Sequence, residues 1–401
     1  MWEELTGQDE AIAVVEAAAR AAHARATPLA DEQSPEPQSP EQQTPDAAMT
    51  HSWLITGPPG SGRSNLAYAF ATALLSDGSA DGEEATRRQV AARTHPDLGV
   101  LATDRVTFTI QEVREAVASS QFSPSVARHR VMVIEDADRM AERTSNVLLK
   151  ALEEPPPRTV WILCAPSEAD LLPTIRSRVR TVRLKVPTVD EVAQLLERRD
   201  GVEAELAQRA AREAQSHIGM AHRLATSEQA RARRERTLEL ALGIRSVPDA
   251  VLTAAELLEL AKADAEAITA EREAAERESA LRSLGVEPGG TVPAALRAQL
   301  RQLEEDQKRR ATRSLRDGID RILVDLLSLY RDQLMLQLGV PAELVNESIA
   351  PQLQRAAERS APAQNLATMD AIATARRRIE GNVAPALALE AMLVTAIRRA
   401  G

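Results

Sequence analysis

Cysteine and aromatic residues are scarce in this chain of 401 residues. Its single cysteine, Cys164, excludes a disulfide within the chain and any metal site built from several cysteines. Cys164 lies in the apolar run 160–164, which favours a buried, unreactive thiol over a nucleophile. Aromatic residues make up only 2% of the sequence, whereas alanine, leucine, arginine and glutamate dominate. This composition predicts a largely helical protein.

The sequence also lacks long apolar runs and an excess of basic residues. No stretch of about 18 apolar residues occurs, and residues 1–4 carry no positive side chain, so we expect a soluble, cytoplasmic protein that does not enter a membrane. The formal net charge of -10 argues against a protein that binds nucleic acid by itself through a broad basic surface. A length of 401 residues exceeds the range in which one core keeps growing, so two or three domains are expected.

Residues 57–64 read Gly-Pro-Pro-Gly-Ser-Gly-Arg-Ser and follow the apolar run 53–56. This is the pattern of a phosphate-binding loop, except that arginine stands where a lysine normally reaches the β- and γ-phosphates. A guanidinium is longer and planar, so Arg63 cannot reproduce the lysine contact without displacing a phosphate or leaving the loop. The motif predicts a nucleotide-binding fold with lost or weakened catalysis, and the alternative is a Gly/Pro turn that binds no phosphate. The candidate contacts to nucleotide are Gly57, Gly60, Ser61, Gly62, Arg63 and Ser64.

A second candidate site follows the apolar run 131–134. Glu135 and Asp136 come directly after it, at the end of a predicted strand, where a Mg²⁺-binding and a water-activating carboxylate would lie. The usual order is aspartate then glutamate, and here it is exchanged, which would misplace the catalytic base at a cost on the order of a hundredfold in rate. Alone, such a pair is more often a solvated turn. Its position about seventy residues after the loop favours the functional interpretation.

Apolar runs and helical patterns alternate through the first half of the chain. After a helical pattern over 8–26, the stretch 28–48 is rich in Pro, Gln, Glu and Ser and is expected to be a disordered surface insertion. Strands are predicted at 53–56, 98–101, 131–134, 160–164 and 179–184, and helices at 64–76, 110–120, 142–153 and 168–176. This alternation predicts an α/β fold with a parallel sheet covered by helices.

The rest of the chain has no strand pattern. Thr188 and Glu191 form a predicted capping box at the start of a small helical domain that ends near residue 225. From about 229 onward the pattern is helical, with apolar stripes at spacings of three and four residues. The stripes comprise Leu315, Ile319, Ile322, Leu326, Leu329, Leu334, Leu366, Met369, Ile372, Ile379, Leu387, Leu389, Met392, Leu393 and Ile397. They predict a helical bundle that either closes on itself or forms an oligomer interface.

Further motifs continue the series. Residues 152–156 read Leu-Glu-Glu-Pro-Pro, and the pair Ser177 and Arg178 follows the next predicted strand. In this order and spacing, and with Gly-Gln at 7–8 and the segment 382–390, the chain resembles the AAA+ subunits of the bacterial DNA polymerase III clamp loader.

The resemblance spans nearly the whole chain and is weakest over 28–48 and 229–310. It implies a AAA+ domain of the phosphate-loop type over 1–186, a small helical lid over 187–228 and an all-α collar for oligomerisation over 229–401.

Four departures from the family's motifs distinguish between its branches, the ATP-hydrolysing gamma/tau subunits and the largely inactive delta-prime subunits. They are Arg63, the exchanged acids 135–136, Gly219 where active subunits carry a lid arginine, and Pro166 or Ser167 where a threonine is usual. All four affect positions that touch nucleotide in the family. They favour the delta-prime branch, of an actinobacterial-like type, and imply that this chain binds ATP and Mg²⁺ weakly or not at all.

A further departure concerns zinc, which many relatives hold through four cysteines placed before a His-Pro-Asp sequence, here residues 95–97. The corresponding stretch, about 79–88, contains no cysteine, so no zinc site is expected there. This Gly- and Glu-rich segment is predicted to be a loose loop, and His95 a packing or surface residue.

Arg178 is the one expected catalytic residue. The pair Ser177 and Arg178 matches the family's Ser-Arg-Cys motif, with Val179 in place of the cysteine, and implies an arginine finger that acts in trans on a neighbour's γ-phosphate. The alternative is that Arg178 only pairs with a local carboxylate, in which case Arg176 and Arg180 would behave alike.

The resemblance implies a non-hydrolysing or weakly active subunit of the replicative clamp loader. It would help to open the sliding clamp and load it on primer-template DNA, within a hetero-pentamer of gamma/tau and delta subunits of the DNA polymerase III holoenzyme, a nucleotidyltransferase. One alternative is an active ATPase of the gamma/tau type, with Asp136 as the base. Another is a scaffold that binds partners through its C-terminal bundle and has neither a nucleotide site nor a finger.

Overall fold

A computed structural model of the chain describes Trp2 and residues 5–24, 49–103, 107–283 and 297–397. These residues fall into two compact units, Met1–His222 and Arg223–Gly401. The predicted insertion 28–48 lies outside the described residues. The predicted boundaries at 186 and 228 differ from this division, and the three-domain arrangement stays a prediction.

The first unit contains a five-stranded sheet in which every strand pair is parallel. Its strands are β1 (Ser52–Thr56), β2 (Leu98–Leu101), β3 (Arg130–Ile134), β4 (Thr159–Ala165) and β5 (Arg180–Arg183), in the spatial order β2-β3-β4-β1-β5. The predicted parallel sheet is confirmed, and each observed strand overlaps a predicted one. All strands therefore end at one edge of the sheet, where their carboxyl termini collect the loops that follow them.

The central strands explain why the sequence predicts the sheet so directly. Every residue of β1 and β4 is buried, because helices cover both faces of a parallel sheet. Successive side chains point to opposite faces, so Trp53 and Ile55 join one apolar cluster and Leu54 joins the other.

Nine helices begin in the described part of the first unit. They are α1 (Asp9–Ala24), α2 (Arg63–Leu75), α3 (Ala80–Ala91), α4 (Ile110–Ser120), α5 (Glu142–Glu153), α6 (Pro173–Arg176), α7 (Val189–Asp200), α8 (Ala204–Glu213) and α9 (Ile218–Thr226). Helices α1 and α2 bury Val15, Leu66 and Phe70 with one face of the sheet, whereas α4 and α5 bury Val113 and Leu148 with the other.

Two expectations about helices were wrong. The segment 79–88 forms most of helix α3 instead of a loop. The residues that stabilise this helix act at its N-terminus. The Ser79 hydroxyl caps the helix by accepting from the Gly82 N–H, and the negative charges of Asp81 and Glu83 in the first turn interact favourably with the helix dipole.

The predicted helix 168–176 is divided in two. A 3₁₀ turn over Glu168–Asp170 is followed by α6, which begins at Pro173. Proline disfavours a helical conformation in the residue before it, and Leu172 is accordingly extended.

The predicted capping box of α7 is confirmed. The Thr188 hydroxyl accepts from the Glu191 N–H at 3.2 Å, and the Glu191 carboxylate accepts from the Thr188 N–H at 2.7 Å. Gln8 is also anchored nearby, because its amide exchanges two hydrogen bonds with the backbone of Lys185, at 2.9 and 3.0 Å. The chain start is thereby fixed beside the end of the sheet.

The described part of the second unit is helical and contains no strand. Its helices are α10 (Glu228–Gly243), α11 (Val247–Ser283), α12 (Arg297–Leu338), α13 (Ala350–Glu358), α14 (Pro362–Glu380) and α15 (Pro385–Thr395), with a 3₁₀ turn at Glu347–Ile349. Most residues of the predicted apolar stripes are buried in one core, so the bundle closes on itself. Leu366 and Leu387 are exceptions and remain exposed.

Charged side chains also stabilise this unit. Arg234 is buried and donates to Asp325 at 3.0 Å and to the Asn346 side chain, which joins α10 to α12 and the following loop. Asp264 accepts from Arg223, Arg233 and Arg321. Across both units, none of the described helices is long and apolar enough to cross a membrane.

Asp97 fixes the loop that leads into β3, and its loss should destabilise the first unit. Its buried carboxylate accepts from the N–H groups of Ser125, Val126 and Ala127 at 2.6–2.7 Å. Burial alone would raise the pKa of Asp97, but these donors outweigh it and hold the pKa below its usual value. Its contribution to stability is therefore present at neutral pH and lost as the pH falls through the carboxyl range.

We expect Asp97→Asn to lower the free energy of unfolding by about 1–3 kcal/mol, because an amide NH₂ group would face backbone donors. Chemical denaturation at pH 7 measures the change. Asp77→Asn is the matched control, since Asp77 is exposed and accepts from Ser79 only. An equal effect of the two substitutions would contradict this role for Asp97.

Candidate nucleotide site

The loop between β1 and α2 has the backbone of a phosphate cradle. Gly60 and Gly62 adopt φ angles of 80° and 90°, which side-chain-bearing residues rarely adopt. The Ser61 N–H donates to the Pro58 carbonyl at 3.1 Å, and the Gly57 N–H donates to Pro166 at 3.2 Å. The first N–H groups of α2 have no partner inside the helix, so they could receive an anion.

Ser61 and Ser64 occupy different environments within this loop. Ser61 is buried, and its Oγ has no hydrogen-bond partner among the described residues. Ser64, the residue type that would hold Mg²⁺ in a phosphate loop, lies half-buried at the second position of α2.

The Arg63 side chain turns back onto its own loop. Its Nη1 donates to the carbonyl oxygen of Gly57, so a guanidinium at the end of the loop is bonded to the loop's first residue. The cation that would meet a phosphate is therefore engaged in an internal contact. The Arg63 side chain therefore neither projects into solvent nor adopts the extended conformation of the lysine that usually stands at this position.

The lid segment lies directly against the same loop. A side chain at Gly60 would overlap the imidazole of His217, and the Ile218 N–H points to the Gly60 carbonyl at 3.4 Å. The ring is also held within the lid, because the Met220 N–H donates to His217 Nδ1 at 3.2 Å. Gly219, where active subunits were expected to carry an arginine, is exposed and has no side chain to offer.

Glu135 is held by two donors instead of facing an open site. Its Oε1 accepts from the Tyr68 hydroxyl on α2 and from Arg93 Nη2, the latter at 2.8 Å. Burial, and next the hydrogen bond to Glu135, raise the pKa of Tyr68, so the phenol stays protonated and keeps donating. The carboxylate in the expected metal-binding position is thus already neutralised.

Asp136 and Asp138 complete the acidic cluster. Asp136 has a φ angle of 50° and lies 3.5 Å from Arg139 Nε. Burial, and next the charge of Asp136, raise the pKa of Asp138, whose Oδ1 has no partner in the described part of the chain. The positive charge of Arg63 acts on Asp138 in the opposite direction, which links this cluster electrostatically to the loop.

The structure brings the loop and the acids to one edge, as predicted, and adds residues that the sequence did not single out. Tyr68, Arg93 and His217 carry no motif of their own. Of the added residues, Asp138 could have been found from the sequence, because it lies in the same acidic run as the predicted pair. Among the described residues, no three His, Cys, Asp or Glu side chains are grouped as a metal site.

The expected sensor positions have other partners. The Pro166 carbonyl accepts from Gly57, and the Ser167 hydroxyl accepts from the Ala169 N–H at 3.2 Å as the cap of a 3₁₀ turn. His95 is buried and accepts from the Asp97 N–H through Nδ1 at 3.1 Å, which is a packing role.

Arg178 lies apart from the loop, at the end of α6, and is fixed by residues of its own chain. Its Nε donates to Glu153 at 2.6 Å, and its Nη1 donates to the Thr174 carbonyl at 2.7 Å and to the Ser177 hydroxyl at 3.0 Å. The side chain remains 34% exposed. Arg180 differs, since its guanidinium lies 5.0 Å from the centre of the Trp53 ring.

The match to a protein-family model lies within this first unit. The family model "DNA polymerase III, delta subunit" matches residues 38–188. Over 138 residues the chain is 35% identical to DNA polymerase III subunit delta' of Pseudomonas aeruginosa, which covers 33% of this chain and 42% of that protein. DNA polymerase III subunit gamma of Buchnera aphidicola is 27% identical over 150 residues, or 36% and 41% of the two chains.

The matched segment covers less than half of this chain and is similar to the DNA polymerase III delta family. The expected resemblance to the delta-prime subunit of the clamp loader is confirmed by the family model and by several delta' relatives. The chain spans less than half of the length of these relatives. A solved gamma-subunit-related protein of Thermotoga maritima is 17% identical, covering 87% of this chain and 95% of that one, with a TM-score of 0.38, too low to support an inference.

Cys164 reports whether the loop is packed on the sheet. Its thiol is buried at the end of β4, 3.8 Å from the Arg63 carbonyl, and burial raises its pKa to about 12. We expect no modification by a disulfide reagent in the native chain at pH 8 and one equivalent after denaturation, because only the thiolate reacts. Fast modification of the native chain, measured by absorbance, would mean that the loop opens readily.

Proposed function

We propose that this chain is a clamp-loader subunit that does not hydrolyse ATP itself and that supplies Arg178 to the ATP site of a neighbouring subunit. The proposal rests on one observation: the basic and the acidic side chain that hydrolysis would need are both hydrogen-bonded within this chain. Arg63 is bonded to Gly57, and Glu135 is bonded to Tyr68 and Arg93.

The residues of this site do not fit a hydrolysing Mg²⁺–ATP centre. Phosphoryl transfer depends on positive charge placed on the phosphates and on carboxylates free to hold the metal and orient water. Arg63 would have to leave Gly57, and Glu135 would have to give up a phenol and a guanidinium. The lid adds no cation at Gly219 and packs His217 on the loop instead.

Weak nucleotide binding is compatible with this arrangement. The glycine cradle and the first turn of α2 keep their shape, and helix amides can bind an anion without a lysine. A ligand would compete with the contacts of Arg63 and His217, so its affinity would be reduced by the free energy of breaking them.

The surroundings of Arg178 suit a finger that acts on another chain. Three acceptors hold it near the surface, and its main partner, Glu153, is 44% exposed. Exposed ion pairs contribute little to stability, typically about 0–1 kcal/mol, so exchanging Glu153 for a neighbour's phosphate costs little. The hydrogen bond to the Thr174 carbonyl can remain and keep the guanidinium oriented.

The proposed assembly contains gamma/tau and delta subunits, the sliding clamp and primer-template DNA, in the cytoplasm. Relatives bearing the names delta' and gamma support this environment. The helical second unit would serve as the collar. Because the chain carries a net charge of -10, DNA would be bound by the complex and not by this subunit alone.

An active ATPase of the gamma/tau type is the alternative. It would need Arg63 to release Gly57, and Asp136, now beside Arg139, to act as the base. Hydrolysis by the isolated chain that Asp136→Asn abolishes would establish it.

The first experiment measures DNA-stimulated ATP hydrolysis by a loader reconstituted from this chain and its gamma/tau and delta partners. For Arg178→Ala we expect turnover at the neighbouring subunit's ATP site to fall by roughly 10³-fold or more. The total rate of the loader should then fall by at least the fraction that this site contributes. Arg178→Lys should recover only a small part, since an ammonium lacks the planar fork.

Two further variants separate the finger from general surface charge. Arg176→Ala removes an exposed arginine two residues away and should leave the rate unchanged. Glu153→Gln should not lower the rate, because Arg178 exchanges Glu153 for the neighbour's phosphate and stays oriented by the Thr174 carbonyl. An unaffected rate in Arg178→Ala would leave the scaffold interpretation.

The second experiment titrates the isolated chain with a fluorescent ATP analogue and Mg²⁺. We expect Arg63→Lys to bind more tightly than the wild type, because the guanidinium no longer occupies the loop, yet still not to hydrolyse ATP while Glu135 is bound to Tyr68 and Arg93. Arg87→Lys is the matched control, an exposed arginine paired with Glu84. Weaker binding by Arg63→Lys would mean that the arginine itself holds the phosphates.

A further inference from the structure

A second cavity lies at the opposite edge of the sheet from the phosphate loop. Its volume is about 350 Å³, within the range of small-molecule sites. Three lining residues directly precede adjacent central strands: His51 before β1, Arg158 before β4 and His129 before β3. The backbone of two of them continues the sheet ladder, since His51 O accepts from Trp161 at 2.7 Å and Arg158 O accepts from Arg130 at 2.9 Å.

The polar lining of this cavity is basic. Arg128, Arg158, His51 and His129 supply its polar side chains, whereas Ala22, Met49 and Val160 supply apolar surface, and none of the described lining residues is a carboxylate. Asp77 interacts electrostatically with Arg128, but it lies outside the lining and accepts hydrogen bonds from Ser79. Among the described residues, the lining therefore concentrates positive charge without a carboxylate to neutralise it.

Two polar side chains of the lining are oriented by contacts to backbone oxygens. Arg128 Nη1 donates to the His23 carbonyl at 3.3 Å, and His51 Nδ1 lies 3.2 Å from the Thr159 carbonyl. The Arg128 contact leaves further donors on the same side chain, because a guanidinium carries five. Arg128 and Arg158 are both exposed, so their remaining donors can reach a ligand from solvent.

His129 shows that the surroundings are electropositive. The residue is buried, its ring hydrogen-bonds to the backbone of Leu74, and Nδ1 has no partner among the described residues. Burial first, and then the charge of His23, lower the pKa of His129, with Arg158 and His51 acting in the same direction. A bound anion would offset the mutual repulsion of these groups.

We propose that this cavity binds the phosphate group of a small phosphorylated ligand. Arginine forks match phosphate oxygens in pairs, and the apolar wall can accommodate a short carbon skeleton. The described lining residues include no Phe, Tyr or Trp on which a base could stack, so recognition would fall on the phosphate. This site involves neither the phosphate loop nor Arg178, and its test is independent of the proposed function.

The test uses inorganic phosphate as the first probe and a phosphorylated three-carbon acid as the second, titrated into the full chain at low ionic strength and followed by calorimetry and ³¹P NMR. We expect saturable binding that is weakened roughly tenfold or more by Arg128→Gln or Arg158→Gln, because each removes charged hydrogen bonds to the phosphate. Both residues are exposed, so the variants should unfold at the wild-type temperature.

Arg143→Gln is the matched control, since it removes the same charge from an exposed residue on α5 that does not line the cavity. Unchanged phosphate affinity in Arg143→Gln, with losses in the two cavity variants, supports the proposal. Equal losses in all three variants would overturn it, because binding would then reflect overall charge. Absence of phosphate binding, combined with arginine-dependent binding of a DNA duplex, would overturn it in favour of a nucleic-acid contact.

Discussion

The hydrogen bond from the Arg63 guanidinium to the Gly57 carbonyl is the constraint on which the candidate site depends. A phosphate loop normally keeps its cation available to the ligand, whereas here the cation closes the loop on itself. The longer, planar arginine can span from the last loop residue to the first. Arginine in place of lysine at position 63 thus gives a loop whose cation is bonded to the loop itself and is not available to a ligand.

The other charged groups at this edge are satisfied in the same way. Glu135 is bound to Tyr68 and Arg93, and Asp136 lies beside Arg139, so both predicted acids have basic or phenolic partners. Breaking such a pair is costly, because a half-buried carboxylate that loses its partner is left without a hydrogen bond to offset its desolvation. Both acids are therefore engaged within the chain, and a metal ion or water molecule would have to compete with these partners.

Sequence alone predicted the features that depend on local pattern. The apolar runs identified the five strands because both faces of the sheet are covered, and Thr188 with Glu191 identified the start of α7. Helix α3 was missed because, over residues 81–91, only the Thr86 and Val90 side chains are buried, so the helix shows no apolar stripe. Capping and terminal charges support it instead.

The partners of the site residues could not be predicted, since they are distant in sequence and have no motif. Arg93 reaches Glu135 across 42 residues, and its position depends on the unpredicted helix α3. His217 reaches Gly60 only because the lid packs on the loop. The sequence predicted that the nucleotide contacts are altered, and the fold shows which partners Arg63 and Glu135 have within the chain.

The two edges of the sheet have opposite charge arrangements. At the carboxyl edge, where parallel α/β proteins usually bind ligands, basic and acidic groups neutralise one another. At the amino edge, Arg128 and Arg158 line a cavity to which the described residues contribute no carboxylate. Charge that is already paired must be released before it can bind a ligand. An anion at the carboxyl edge would have to displace such pairs, whereas the anion site proposed at the amino edge would not require a lining carboxylate to be displaced.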